Sequence, residues 1–141
     1  MIALDTNLLV YAHRSALPEH QAARRAIEKA SRNRAGWAIP AFCAAEFWAV
    51  ATHPSSSGRP SREEEAEAFL AGLFQAGAQV LQPREGFVAR LTRLACDLRI
   101  RGPRIFDLQI ALVSLEGGAG EIWTHDRRFA SLPGLPIRDP L

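Results

Sequence analysis

A chain of 141 residues, 48% of them apolar, suits one domain and can bury a real core, which excludes intrinsic disorder. No apolar heptad persists, and the longest uncharged stretch, 68–83, carries glutamines and ends at Pro83, so a coiled coil and a membrane span are not expected. The formal charge of +2 is too small to announce a nucleic-acid binder, although sixteen of the seventeen basic residues are arginine and only Lys29 is lysine.

Met1-Ile2-Ala3-Leu4-Asp5 has no basic start and places an acid where a secretory leader would be apolar. A soluble, cytoplasmic protein is expected. Cys43 and Cys96 stand far apart, without a CxxC pair or a histidine cluster. They read as two small buried thiols rather than zinc or redox ligands.

In chain order, Ile2 to Asp5 is a short apolar run ending in an acid, a strand. Pro18-Glu19 opens a helix to about Ser31, with Ala22, Ala26, Ile27 and Ala30 on one face. Trp37 to Pro40 is a second strand. A helix from Ala41 to about His53 follows, stopped by Pro54 and the loop 55–58. Ser61-x-x-Glu64 forms a capping box for a helix that presents Ala66, Phe69, Leu70, Leu73 and Phe74 before Gly77. Gln79 to Leu81 is a third strand, closed by Pro83. Val88, Leu91, Leu94, Ala95 and Leu98 mark one helix, and Phe106 to Glu116 another, stopped by Gly117-Gly118. Glu121 to Thr124 is a fourth strand, and 136–138 a short edge strand. Strands alternating with helices predict a single α/β domain, with a mostly parallel sheet of four to five strands flanked by helices.

Ligands of such sheets bind outside the carboxyl ends of the strands. Asp5 falls at the end of the first strand, and Asp126 just past the fourth, which is expected to lie beside it. Either acid alone could be a turn-former or an N-cap. Glu46 interrupts an apolar stripe of Phe42, Ala45, Ala49 and Val50, with no lysine or arginine within a turn. A buried carboxylate there would need compensation. Asp107 stands in the first turn of a strongly apolar helix, where the helix dipole alone would favour it. If Asp5, Glu46, Asp107 and Asp126 converge, each pair ~4 Å apart repels by about 4 kcal/mol at an effective dielectric near 20. A hard divalent ion, Mg²⁺ or Mn²⁺, is the compensation expected for an all-carboxylate cluster.

Such an ion polarises a phosphoryl oxygen and activates water, which implies phosphate chemistry. Neutralising the four acids would leave eleven acidic residues against seventeen basic ones, a formal +6 that suits a polyanion. Arg104, Arg127 and Arg128 flank the acids and are candidates for contact with such a polyanion; a solvated basic loop is the competing account. His13, His20 and His53 have no recognisable partner, and His125 sits between Thr124 and Asp126.

The spaced acids, Asp5-Thr6-Asn7 and Thr124-His125-Asp126, together with Leu8-Leu9-Val10-Tyr11-Ala12, Ile39-Pro40, Glu46-Phe47-Trp48, Thr52-His53-Pro54, Arg59-Pro60 and Pro140-Leu141, resemble the PIN-domain ribonucleases. More closely the chain resembles the VapC toxins of bacterial toxin–antitoxin pairs, over essentially 1–141. The resemblance implies that Asp5, Glu46, Asp107 and Asp126 form a catalytic, metal-binding quartet for Mg²⁺ or Mn²⁺, supported by Thr6, Asn7 and Thr124. It implies endonucleolytic cleavage of structured RNA, tRNA or rRNA, and so inhibition of translation until a VapB-type antitoxin intervenes. A homodimer that touches DNA only through its antitoxin is implied as well. Many relatives carry a further acid two places after the last of the quartet. Arg128 stands there instead, leaving one or two ions open.

Other classes fit less well. A receiver domain needs a lysine beside its acids, and a haloacid-dehalogenase-like phosphatase needs Asp-x-Asp, which Asn7 breaks. The Gly117-Gly118-x-Gly120 cluster follows a helix rather than the first strand, unlike a dinucleotide-binding loop. A catalytically inactive PIN scaffold that binds RNA or a partner is the main alternative. The apolar faces of 19–31 and 61–76 could clamp an antitoxin helix or simply pack into the core.

Overall fold

The computed structural model describes residues 1–55, 59–130 and 132–141. Five strands, β1 (Ile2–Leu4), β2 (Trp37–Pro40), β3 (Gln79–Leu81), β4 (Glu121–Trp123) and β5 (Ile137–Arg138), form one sheet. Their order is β3-β2-β1-β4-β5 and every pairing is parallel. Parallel neighbours need long crossovers, and six helices supply them: α1 (Thr6–His13), α2 (His20–Ser31), α3 (Ala41–Thr52), α4 (Glu63–Gln75), α5 (Phe87–Asp97) and α6 (Arg104–Glu116).

β1 is the central strand and all three of its residues are buried, which is why it reads as an unbroken apolar run rather than an alternating one. Its register pairs Ile2 with Trp37 on one side, and Leu4 with Trp123 on the other. α6 is buried on most of its circumference through Leu108, Ile110, Ala111, Leu112 and Val113. Its end lies so close to β3 that a Cβ on Gly117 would stand 2.8 Å from Leu81 Cδ2 and 3.1 Å from the Val113 carbonyl.

The chain builds β1, β2 and β3 outward in one direction, then returns to lay β4 on the other side of β1. That reversal leaves a crevice at the carboxyl ends of β1 and β4. Asp5 and Thr124 are the next residues after those two strands. The edge position expected for 136–138 holds for β5.

Several local expectations need correction. The segment after Asp5 forms α1, a helix the sequence reading did not include. Asp5 is its N-cap, so strand and helix meet with no loop between them. The capping box of α4 lies one residue later than expected. Arg62 is the N-cap, its backbone N–H donates to Glu65 Oε2 at 2.8 Å, and Ser61 Oγ instead meets His13 Nε2 at 2.8 Å. Cys43 is buried, but Cys96 is exposed on α5. Most of the expected loop 55–58 lies outside the described residues. Among the described residues no helix is long and apolar enough to cross a membrane.

Candidate metal and nucleic-acid site

Asp5 anchors the crevice. Its Oδ1 accepts the Thr6 backbone N–H at 2.7 Å, the expected N-cap bond. Its Oδ2 accepts the Thr124 hydroxyl at 2.6 Å and the Asn7 amide at 2.9 Å. The Cys43 thiol lies 3.9 Å from Oδ1. The same three polar residues tie β1 to β4: Asn7 Nδ2 also reaches Thr124 Oγ1 at 2.8 Å, and Asn7 Oδ1 accepts the His125 N–H at 3.1 Å. Thr124 Oγ1 in turn accepts the Asp126 N–H at 3.0 Å. Asn7 and Thr124 thus link the two strands flanking the crevice and both hydrogen-bond Asp5.

The carboxyl of Asp5 is only 6% exposed. Burial pushes its pKa up to about 6, against the Thr124 and Thr6 hydrogen bonds that lower it, and Glu46 and Asp107 add to the rise. Burial likewise raises the Asp107 carboxyl; the Ala130 N–H opposes this, while Asp126 and Glu46 add to it. Asp5 therefore lies within electrostatic reach of Glu46 and Asp107, and Asp107 within reach of Glu46 and Asp126.

Glu46 does not sit as its apolar neighbours suggested. It is exposed, as are Ala45, Trp48, Ala49 and Val50 on the same helix. α3 turns a different face inward, burying Cys43, Phe47 and Ala51, and leaves that stripe at the surface. Glu46 Oε2 accepts the Thr6 hydroxyl at 2.7 Å, so Thr6 bridges the first two acids by binding one through its backbone and the other through its side chain. Asp126 is exposed too, and its Oδ1 accepts the Arg128 N–H at 2.8 Å.

As these side chains are oriented, no three Asp, Glu, His or Cys residues among the described ones enclose a common point. The donor chemistry nevertheless fits an oxygen-preferring divalent cation. The buried Asp5 carboxylate carries a desolvation and repulsion penalty that a cation would relieve, and the exposed Glu46 and Asp126 can turn toward it.

Three features escaped the sequence reading. His125 Nδ1 pairs with both oxygens of Asp139, at 2.9 and 3.0 Å. Burial pulls the Asp139 carboxyl up, but the His125 and Leu141 hydrogen bonds outweigh it and hold the group below its ordinary range. Tyr11 packs edge-on to His125 with ring centroids 6.0 Å apart. Burial raises its phenol, and the charges of Glu19, Asp126 and Asp5 push the same way. The third is the Cys43 thiol beneath Asp5. No spacing rule links positions 125 and 139, or 5 and 43; only the folded sheet does.

On the other side of the acids lies a cleft of about 720 Å³, lined by Arg104, Asp107, Asp126, Arg127 and Arg128 over a floor of Phe129. All three arginines expected near the acids line it.

A family model described as the PIN domain matches residues 2–135. VapC ribonuclease Mb2897 of Mycobacterium bovis is 32% identical, over 100% of this chain and 96% of that protein. Ribonuclease VapC48 of Mycobacterium tuberculosis is 31% identical, over 96% of this chain and 94% of its own length. Mycobacterium tuberculosis VapC20, described as a sarcin–ricin loop cleaving toxin, superposes with a TM-score of 0.73 at 14% identity, covering 99% of this chain and 100% of that one. VapBC2 from Rickettsia felis, bound to a DNA fragment from its promoter, superposes at 0.68 and 21% identity, covering 98% of each chain. At those identities the two structures speak for the fold. The chain belongs to the PIN-domain family, as a VapC-type ribonuclease.

Proposed function

We propose that this protein is a divalent-cation-dependent endoribonuclease toxin that hydrolyses phosphodiesters in structured RNA, tRNA or rRNA, and so inhibits translation. The observation that carries the reading is the buried Asp5 carboxylate, linked through Thr6 to Glu46 and through Thr124 to the Asp126 backbone, at the switch point of the sheet. Asp5, Glu46, Asp107 and Asp126 would hold Mg²⁺, or Mn²⁺ in its place. When bound, that ion supplies Lewis-acid polarisation of the phosphoryl oxygen and activation of water. Thr124, Asn7 and the Thr6 N–H fix the orientation of Asp5, so that this donor needs little reorganisation while Glu46 and Asp126 turn toward the ion. Arg104, Arg127 and Arg128 would neutralise phosphates on either side of the cut.

Relatives of the fold occur with antitoxins, and a VapB-type antitoxin is the partner expected here. A cavity of about 560 Å³ between α2 and α4, lined by Ile27, Trp37, Phe69 and Leu73 with Arg24 and Glu28 at its polar side, is the surface suited to an amphipathic antitoxin segment. In this reading the protein is a cytoplasmic homodimer, and DNA is bound only through the antitoxin.

The test is cleavage of total tRNA by purified protein in Mg²⁺, in EDTA, and by an Asp5→Asn variant shown by circular dichroism to fold. Cleavage in Mg²⁺ alone, lost in the folded variant, is the expected result. Cleavage that survives EDTA or the substitution overturns the assignment. Absence of cleavage together with absence of Mn²⁺ binding would favour an inactive scaffold.

A further inference from the structure

His125 is held at its backbone, at one ring nitrogen and at the ring edge. Its N–H donates to Asn7 Oδ1 at 3.1 Å, and its Nδ1 lies 2.9 and 3.0 Å from the two oxygens of Asp139. The Tyr11 ring stands edge-on against it. An ionised carboxylate only accepts hydrogen bonds, so Nδ1 of the neutral imidazole carries the hydrogen and Nε2 is left as an acceptor. Among the described residues neither His125 Nε2 nor the Tyr11 hydroxyl has a hydrogen-bond partner, and neither atom is sealed from solvent.

A ring acceptor and a phenol thus stand side by side with nothing to bind. They do so beside the acids, because Asp5 and Asp126 lie close enough for their charges to act on the Tyr11 phenol, as does Glu19. Neither residue lines the arginine cleft. With Asp139 on the imidazole, this side of the site is acidic and would repel a phosphate. A neutral group that donates to Nε2 and accepts from the phenol suits it. The ribose 2′-hydroxyl is such a group, and DNA lacks it. Its carbon adjoins the one that bears the 3′-phosphate, so a phosphodiester held at the acids brings the hydroxyl to their rim whatever the base.

We propose that His125 Nε2 and the Tyr11 hydroxyl bind the 2′-hydroxyl at the phosphodiester to be cut, and so make the site read RNA rather than DNA. Asp139 is the positioning residue that fixes the imidazole. The inference rests on the ribonuclease reading above and deepens it, from the class of substrate to the groups that select it.

The experiment has two readouts. Long-range ¹H–¹⁵N spectra of the wild type at pH 8, with the His125 signals assigned by their loss in His125→Ala, should show the Nδ1–H tautomer. In Asp139→Ala the ring should revert to Nε2–H, the form that free imidazole side chains prefer. An Nε2–H tautomer in the wild type overturns the proposal. The second readout is equilibrium binding, by fluorescence anisotropy, of a fluorescein-labelled RNA hairpin and of its 2′-fluoro counterpart, which keeps the ribose pucker but has no hydrogen to donate. Ca²⁺ replaces Mg²⁺, so that binding is read apart from cleavage. Wild type is expected to bind the 2′-fluoro strand about 2- to 12-fold more weakly, the range of one net hydrogen bond. His125→Ala, folded by circular dichroism, should bind both strands alike at that weaker level, and Tyr11→Phe should lie between. A His125→Ala protein that still prefers RNA overturns the proposal, as does one that loses the same factor on both strands. Wild type that prefers RNA through His125 yet cuts nothing in Mg²⁺ would sink the ribonuclease reading and leave this one standing. Cleavage by a wild type without that preference does the reverse.

Discussion

Asp5 accepts three conventional hydrogen bonds and still has its pKa pushed up to about 6, because burial and two neighbouring acids outweigh them. In the metal-free protein the protonated form is therefore favoured by folding. The stabilisation is full below the ordinary value of 3.8 and is lost as pH rises through about 6. A shift of that size corresponds to about 3 kcal/mol. His13, whose imidazole burial lowers below its ordinary range, works against this, since it loses stability as pH falls through the mid-range. The informative quantity is thus the stability of wild type minus that of Asp5→Asn, measured in EDTA by urea unfolding. Any fixed cost of turning an amide toward the Thr6 and Thr124 donors cancels from its slope. The difference should rise by about 2.4 kcal/mol in favour of wild type between pH 8 and pH 4. Mg²⁺ at pH 8 should stabilise wild type and leave the variant unmoved. A flat difference curve would mean that Asp5 is not held in this buried, repelled state.

At the scale of elements, what could be read from the sequence was what depends on local pattern. β3 and the bodies of α2, α3, α5 and α6 follow from apolar spacing and from Pro and Gly stops, and the adjacency of β1 and β4 follows from alternation. α1 was not legible because Asp5 ends a strand and caps a helix at once, so no turn signal separates two continuous apolar runs. Glu46 was legible as unusual but not as exposed, because burial of a stripe depends on which neighbour covers it. The pairing of His125 with Asp139 depends on β5 docking beside β4, a tertiary event with no local signature. One element boundary carries a removable strain. Arg99 follows α5 at φ +55°, with its N–H on the Cys96 carbonyl at 3.1 Å and the Ile100 N–H on the Ala95 carbonyl at 2.8 Å. This left-handed turn favours glycine. Arg99→Gly should stabilise the fold by about 1 kcal/mol and raise the melting temperature by about 3–5 °C in a thermal scan. An unchanged or lower value would show that the arginine side chain contributes more than its backbone costs.

For the molecule as a whole, the charge arrangement separates two roles for the arginines beside the acids. The chain carries a formal +2, with four of its fifteen acids assigned to the crevice and Arg104, Arg127 and Arg128 lining the cleft beside Asp107 and Asp126. Each arginine that meets a phosphate releases a counterion, and on a single strand each such contact contributes about 0.7 to the slope of log affinity against log salt. Arg127→Ala and Arg128→Ala should each weaken binding at low salt and flatten that slope by about 0.7, with the double variant flattening it by about twice as much. RNA titrations across a series of KCl concentrations read that slope for each variant. If the arginine variants instead run parallel to wild type, their guanidinium groups serve the acids of the site and not the phosphates of the substrate.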